Sequence, residues 1–172
     1  IIGLTTESVV GCDLELEGVA GLSALAMHLP GVTITPWTTS PKRPVPISKP
    51  EKIPDWISLR DDTQVVLFFA DPFSTPITRL LPALVDCRGG DSPLPIIGGM
   101  ASGASAATFN RLILDDQGMR SGGIGLTISG PLDFDCIVSQ GCRPIGNPMC
   151  VTKVEGNVVL ELGGRPAVEV IQ

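Results

Sequence analysis

Six prolines, Pro36, Pro41, Pro44, Pro46, Pro50 and Pro54, fall within nineteen residues. Each fixes its own φ, removes a backbone donor and restricts the residue before it. A stretch this dense is expected to refuse helix and sheet ladders and to run as extended, solvated backbone. Residues 36–54 are therefore expected to form a crossover loop, with the ordered structure on either side. The loop carries Lys42, Arg43, Lys49 and Lys52 against Glu51, so it is locally +3 while the rest of the chain sums to −9. Trp37 and Trp56 flank it and are expected to staple it to the body. Its Pro41-to-Pro44 spacing is too common a pattern to imply a partner.

Beyond the loop, Gln64–Ala70 is an almost wholly apolar run that suits a strand buried on both faces. Asp71 to Pro76 turns the chain, and Ile77, Leu80, Leu81, Leu84 and Val85 then recur at helical spacing, with Pro82 as a fault in the pattern. Leu94–Ile97 feeds a second strand, expected to end at Gly98-Gly99. This order predicts a βαβ unit at about 64–98 with a parallel strand pair. An antiparallel meander follows: Arg111–Leu114, a turn over Asp115 to Gly118, Gly123–Ser129, then Phe134–Ser139. A hairpin is expected at Val151–Leu162, turning on Glu155-Gly156-Asn157, and Arg165–Gln172 reads as a short Pro-initiated helix or strand. Upstream, Leu22–Leu29 reads as a strand running to the Pro30-Gly31 turn.

Ile1–Glu7 resembles Ile96–Ser102, and Gly21–Leu25 echoes Gly123–Thr127, which suggests an internal repeat. The fold class expected is α/β or α+β, with two related halves and mixed, largely antiparallel sheets in a single domain over 1–172. The second copy of the repeat is preceded by a strand and helix while the first begins at residue 1, so an N-terminal strand–helix piece is expected to be missing. The opening Ile1-Ile2-Gly3, without Met or a leader pattern, fits a processed chain or the remainder of a longer one.

Composition narrows the function classes. Of 172 residues, 43% are hydrophobic and 17% charged, enough apolar material for a core and the opposite of a disordered composition. Gly and Pro make up about a fifth without a collagen period. A net charge of −6 repels phosphate backbones, so no nucleic-acid partner is expected. The longest apolar run, Val65–Ala70, is far short of the ~20 residues that span a bilayer. There is one histidine, His28, and no tyrosine, which leaves little for general acid–base catalysis near neutral pH. Five cysteines (Cys12, Cys87, Cys136, Cys142 and Cys150) show no C-x-x-C pair, and an odd, unpaired set points to reduced thiols in an intracellular compartment, cytoplasmic or on the soluble side of an organelle. No zinc spacing or EF-hand loop is present, so neither metal nor cofactor is expected.

Three groups of residues are candidates for ligand contact. Gly98, Gly99, Ser102 and Gly103 follow a strand, where backbone N–H groups can cradle an anion or simply form a tight turn. The turn is neither a phosphate loop, a dinucleotide fingerprint nor a nucleophile elbow. Cys142 and Arg143 place a thiol beside a guanidinium, which can bind a ligand carboxylate or pair with a protein acid; Arg165 is a second such cation. Asp71 and Phe73 sit at the end of the buried strand, where open α/β sheets present ligand-facing groups and where an Asp can equally cap the next helix.

The ordered series Phe69-Ala70-Asp71-Pro72-Phe73, Ile96-Ile97-Gly98-Gly99-Met100-Ala101-Ser102-Gly103, Ser121-Gly122-Gly123-Ile124-Gly125-Leu126, Ser139-Gln140-Gly141-Cys142-Arg143-Pro144-Ile145-Gly146 and Leu162-Gly163-Gly164-Arg165-Pro166-Ala167 resembles the FIST domain. That family occurs in bacterial signal-transduction proteins and some eukaryotic F-box proteins. The resemblance covers essentially the whole chain, from the middle of the family's N-terminal part into the start of its C-terminal part. It implies a non-catalytic sensory module binding amino acids or related small carboxylates. The alternative is a structural or docking subunit that keeps the fold without sensing and meets a partner protein at an exposed sheet edge.

Overall fold

The structure, a computed structural model, describes residues 1–11, 13–89, 93–137, 143–144, 146–156 and 158–171. It is α+β and divides into two compact units, Ile1–Cys136 and Ile137–Gln172.

In the first unit the strands are β1 (Ile2–Leu4), β2 (Ser8–Gly11), β3 (Leu14–Glu17), β4 (Thr33–Thr39), β5 (Thr63–Ala70), β6 (Ile96–Met100), β7 (Leu112–Leu114), β8 (Gln117–Met119) and β9 (Gly123–Ser129). Helices α1 (Ile53–Trp56) and α2 (Ile77–Val85) are its two α-helical segments among the described residues. The main sheet has the order β4-β9-β5-β6, with β5 and β6 parallel and the other pairs antiparallel. A three-stranded antiparallel sheet, β1-β7-β8, and the hairpin β2-β3 complete the unit.

Strand β5 explains the layering. Its side chains alternate in direction, so Val66, Phe68 and Ala70 join one core while Phe69 packs against another. The larger core adds Trp37, Val45, Ile53, Ile57, Leu80, Leu84 and Leu94, drawn from β4, the Pro-rich segment and the end of α1, α2 and the approach to β6. The smaller holds Ala101, Leu112 and Ile124, with Ile2, Leu4 and Leu114 packed on it from the small sheet. The main sheet thus carries the helix and the Pro-rich segment on one face and the three-stranded sheet on the other.

The β5-α2-β6 unit is present as expected, with Val66 opposite Ile96 in parallel register. Pro82 does lie inside α2, on its exposed side. The glycine doublet is a correction: Gly98 and Gly99 do not end β6 but pair with Phe68 and Phe69 inside it. Gly98 has φ 150°, and a Cβ there would overlap the Phe68 carbonyl oxygen. The doublet permits a close backbone approach between strands, and the sequence offers the same two letters for a turn.

The Pro-rich segment is also more ordered than expected. Pro36 lies in β4, opposite Leu126 of β9, because β4 is an edge strand and a missing N–H is tolerated on an open edge. Pro50 and Pro54 sit in the first turns of a 3-10 turn (Pro50–Lys52) and of α1, where no donor is needed. Leu22–Leu29 is irregular and largely exposed rather than a strand; it contains no β-branched residue, so it has little preference for pleated backbone. Residues 134–137 of the expected Phe134–Ser139 strand are irregular, Asp133 and Asp135 being poor strand formers; Val138 and Ser139 lie outside the described residues. The repeated segments take unlike structures. Ile2–Leu4 pairs antiparallel with β7, Ile96–Met100 pairs parallel with β5, and Gly21–Leu25 is irregular.

The second unit contains the antiparallel strands β10 (Val151–Glu155), β11 (Val158–Leu162) and β12 (Arg165–Pro166), followed by α3 (Ala167–Ile171). The expected hairpin and Pro-initiated helix are both present, with Asn157 and Gln172 outside the described residues. Gly163 and Gly164, both at positive φ, make the two-residue turn from Leu162 to Arg165.

Candidate functional site

Parallel β5 and β6 end side by side, with Ala70 opposite Met100, so Asp71 and Ala101 leave the sheet at the same end. Asp71 is 1% exposed. Its carboxylate accepts hydrogen bonds from the Ser74 hydroxyl at 2.6 Å and from Asn110 Nδ2 at 3.0 Å. Ser74 Oγ accepts from the Gly122 N–H at 2.7 Å, and Asn110 Nδ2 also donates to the Ala101 carbonyl at 3.3 Å. The N-cap of α2 is Pro76 and has no side-chain cap, so Asp71 ties the end of β5 to the start of β9 and to Asn110 instead of capping the helix. Asn110 is fully buried, and its Oδ1 has no partner among the described residues.

Ser102 and Gly103 follow β6 at the same end. Ser102 Oγ accepts from the Glu7 N–H at 3.2 Å, and the Gly103 N–H donates to the Thr5 carbonyl at 3.2 Å. They pin the segment between β1 and β2 to the end of the main sheet. Gly98 and Gly99 lie earlier, within β6, and Phe73 is exposed. The structure thus brings Asp71, Ser102 and Gly103 to one end of the sheet and engages each with its own chain. Arg143 and Arg165 belong to the second unit and are both exposed; Cys142 lies outside the described residues.

A concavity lies elsewhere in the first unit. Its volume is about 890 Å³, and three segments line it. Strand β4 supplies Pro36, Trp37 and Thr38; the Pro-rich segment and α1 supply Arg43, Pro46, Lys52, Asp55 and Trp56; the β7–β8 turn supplies Leu114, Asp115, Asp116 and Gln117. The turn is a two-residue hairpin loop, with Leu114 opposite Gln117, which pushes Asp115 and Asp116 outward.

The aromatic wall is held firmly. Trp37 is stacked on Phe68 with ring centroids 5.3 Å apart, and its Nε1 donates to Thr127 Oγ1 at 3.2 Å. Thr127 Oγ1 in turn donates to the Ile57 carbonyl, joining β9 to the end of α1. Gly125 makes room for the ring: a Cβ there would overlap it. The Arg43 guanidinium lies 4.6 Å from the centroid of Trp56, a cation–π contact that orients the cation without neutralising it. Among the described residues Arg43, Lys52, Asp55 and Asp116 form no ion pair. The pocket therefore offers both signs of charge beside an aromatic surface, which suits a small molecule carrying both an ammonium and a carboxylate.

Sequence reasoning passed over Arg43, Lys52, Trp56 and Asp116 as a site. The signal was the meeting of basic residues and both tryptophans in one Pro-rich segment; the acidic turn that faces them is more than fifty residues away in sequence.

Among the described residues, no group of three His, Cys, Asp or Glu side chains is placed to hold a metal ion. Cys87 packs at the edge of the larger core, and burial raises its thiol pKa, opposed in part by the Arg88 charge, so the sulfur is held as a protonated filler. Among the described residues, Cys87, Cys136 and Cys150 are free thiols. No helix among the described residues is long and apolar enough to cross a membrane.

The family model of the FIST N domain matches residues 1–165. An uncharacterized protein of Mycobacterium tuberculosis is 39% identical over 100 residues, covering 58% of this chain and 25% of the relative. An uncharacterized protein of Mycobacterium bovis is 36% identical over 104 residues, 60% of this chain and 26% of its own length. One from Methanocaldococcus jannaschii is 35% identical over 86 residues, 49% of this chain and 16% of that protein. The chain spans about a quarter of the length of the mycobacterial relatives it matches. No solved structure matches it.

Proposed function

Because the chain belongs to the FIST N domain family, whose members are sensory domains associated with signalling, we propose that it binds a small ligand in that role and catalyses no reaction itself. The ligand class is amino acids or related small carboxylates. The observation that carries this reading is the pocket of about 890 Å³, where Arg43 lies over Trp56 and Asp116 stands on the facing turn. Asp71 and Ser102 are engaged with their own chain at the strand ends, and Arg143 and Arg165, both exposed, are proposed as carboxylate contacts within the second unit. The spacing of the cysteines supports an intracellular location.

A second reading is a docking subunit that keeps the fold without sensing. It is favoured by one observation, the internal engagement of Asp71 and Ser102, which takes two strand-end groups away from any ligand.

Thermal unfolding across the standard amino acids and small carboxylates separates the two. A ligand that binds only the native state stabilises it by about 2.7 kcal/mol at a hundredfold excess over Kd. The sensor reading expects one ligand class to raise the melting temperature of the wild type and to do so far less for Arg43→Gln. No shift with any ligand overturns it in favour of the docking subunit.

A further inference from the structure

Resting on the sensor reading, we propose that the ligand of this pocket is a short peptide with free termini, bound extended along the open edge of β4. Three observations converge on it.

The first is the edge itself. Among the described residues β4 has β9 on one side and no strand on the other. In an antiparallel pair each residue points its N–H and C=O the same way, and the direction alternates along the strand. Pro36 fits because its missing N–H faces the open side, which sets the Pro36 carbonyl and both backbone groups of Thr38 on that same side. Side chains of consecutive strand residues point to opposite faces. A cavity lined by Pro36, Trp37 and Thr38 together therefore runs along the strand's edge and not over one face. Such an edge offers main-chain hydrogen bonds to an added strand.

The second is size. A volume of about 890 Å³ is near the top of the roughly 300–1,000 Å³ range of small-molecule pockets. It is several times what one free amino acid fills.

The third is the arrangement of charge. Lys52 and Asp55 carry opposite charges three residues apart on the Pro-rich wall, and Asp115 and Asp116 line the facing turn. Arg43 on that wall and Asp116 on the turn are an unpaired cation and an unpaired carboxylate among the described residues. The Arg43 guanidinium, held 4.6 Å from the Trp56 ring centroid, carries a fork of N–H donors that suits a C-terminal carboxylate. Asp116 suits an N-terminal ammonium. Recognition of the main chain and both ends tolerates any small side chain, so trialanine is a sufficient probe.

Calorimetric titration tests this with four probes: alanine, trialanine, trialanine acetylated and amidated at its ends, and trialanine N-methylated at the central residue. Trialanine is expected to bind about tenfold or more tighter than alanine, and to lose about tenfold on blocking its ends and a similar factor on N-methylation, since each step removes a hydrogen bond or a charge partner. Arg43→Gln, an exposed position whose fold is checked by circular dichroism, is expected to weaken trialanine but to leave its C-terminal amide unchanged. Alanine binding as tightly as trialanine overturns the peptide inference and leaves the sensor reading standing. Peptide affinity indifferent to N-methylation overturns the edge geometry. No heat from any probe, with no melting shift in the amino-acid and carboxylate panel, overturns both.

Discussion

Gly98 occupies a backbone position that other residues rarely adopt, at φ 150° and against the Phe68 carbonyl. Gly99, its neighbour, has open space where a Cβ would be. Gly98→Ala is expected to cost about 3 kcal/mol, through both strain and overlap, while Gly99→Ala stays within about 1 kcal/mol. Urea unfolding of the two variants checks the contrast. Cys87 makes a second prediction at this scale. Its thiol pKa is raised in the folded state by burial, so the folded chain holds this proton more tightly than the unfolded chain does. The stabilisation is therefore fully present below the unfolded thiol's pKa and is lost as pH rises through the folded one. Stability is expected to fall as pH climbs beyond about 9.0, the ordinary value of this group, and Cys87→Ala is expected to flatten that part of the profile. Unfolding curves collected at alkaline pH measure it.

At the scale of elements, α2 holds the main sheet's helical face through Leu80 and Leu84, the latter completely buried. Leu84→Ala is expected to destabilise the unit by about 2–5 kcal/mol. Pro82, five residues further along than the first residue of α2 and exposed, leaves the Thr78 carbonyl without its helical donor. Pro82→Ala is expected to stabilise the protein by about 1–3 kcal/mol, because proline in a helix interior costs about 3 kcal/mol relative to alanine; equilibrium denaturation decides the sign. What the sequence disclosed also follows element by element. The run from Val65 to Ala70 is apolar without a break, and its burial on both faces was legible for that reason. The helical spacing of Ile77 to Val85 survived its proline. The glycine doublet misled because Gly serves both turns and close strand approaches, and only the position of Phe68 decides between them. The pocket was hidden for a different reason. Its walls come from β4, the Pro-rich segment and the β7–β8 turn, and a linear reading cannot bring Arg43 near Asp116.

Over the whole molecule, buried side chains concentrate in the first unit; among the described residues of the second, Ala167 is the one buried side chain. Local stability follows burial and hydrogen-bond protection. Amide exchange is therefore expected to be slowest in β5 and β9 and orders of magnitude faster in β10 and β11, and mass-spectrometric exchange would show it. The same molecule carries two tryptophans and no tyrosine, and both tryptophans line the proposed ligand pocket. Intrinsic fluorescence is thus a reporter of that pocket and, through Trp37, of the larger core beside it. The most direct test is a fluorescence titration with whichever probe raises the melting temperature, on the wild type and on Trp56→Phe. The account predicts a saturable change in emission with the Kd found by calorimetry, much reduced in the variant. A ligand that stabilises the protein while leaving tryptophan emission unchanged would place its site elsewhere and contradict the account.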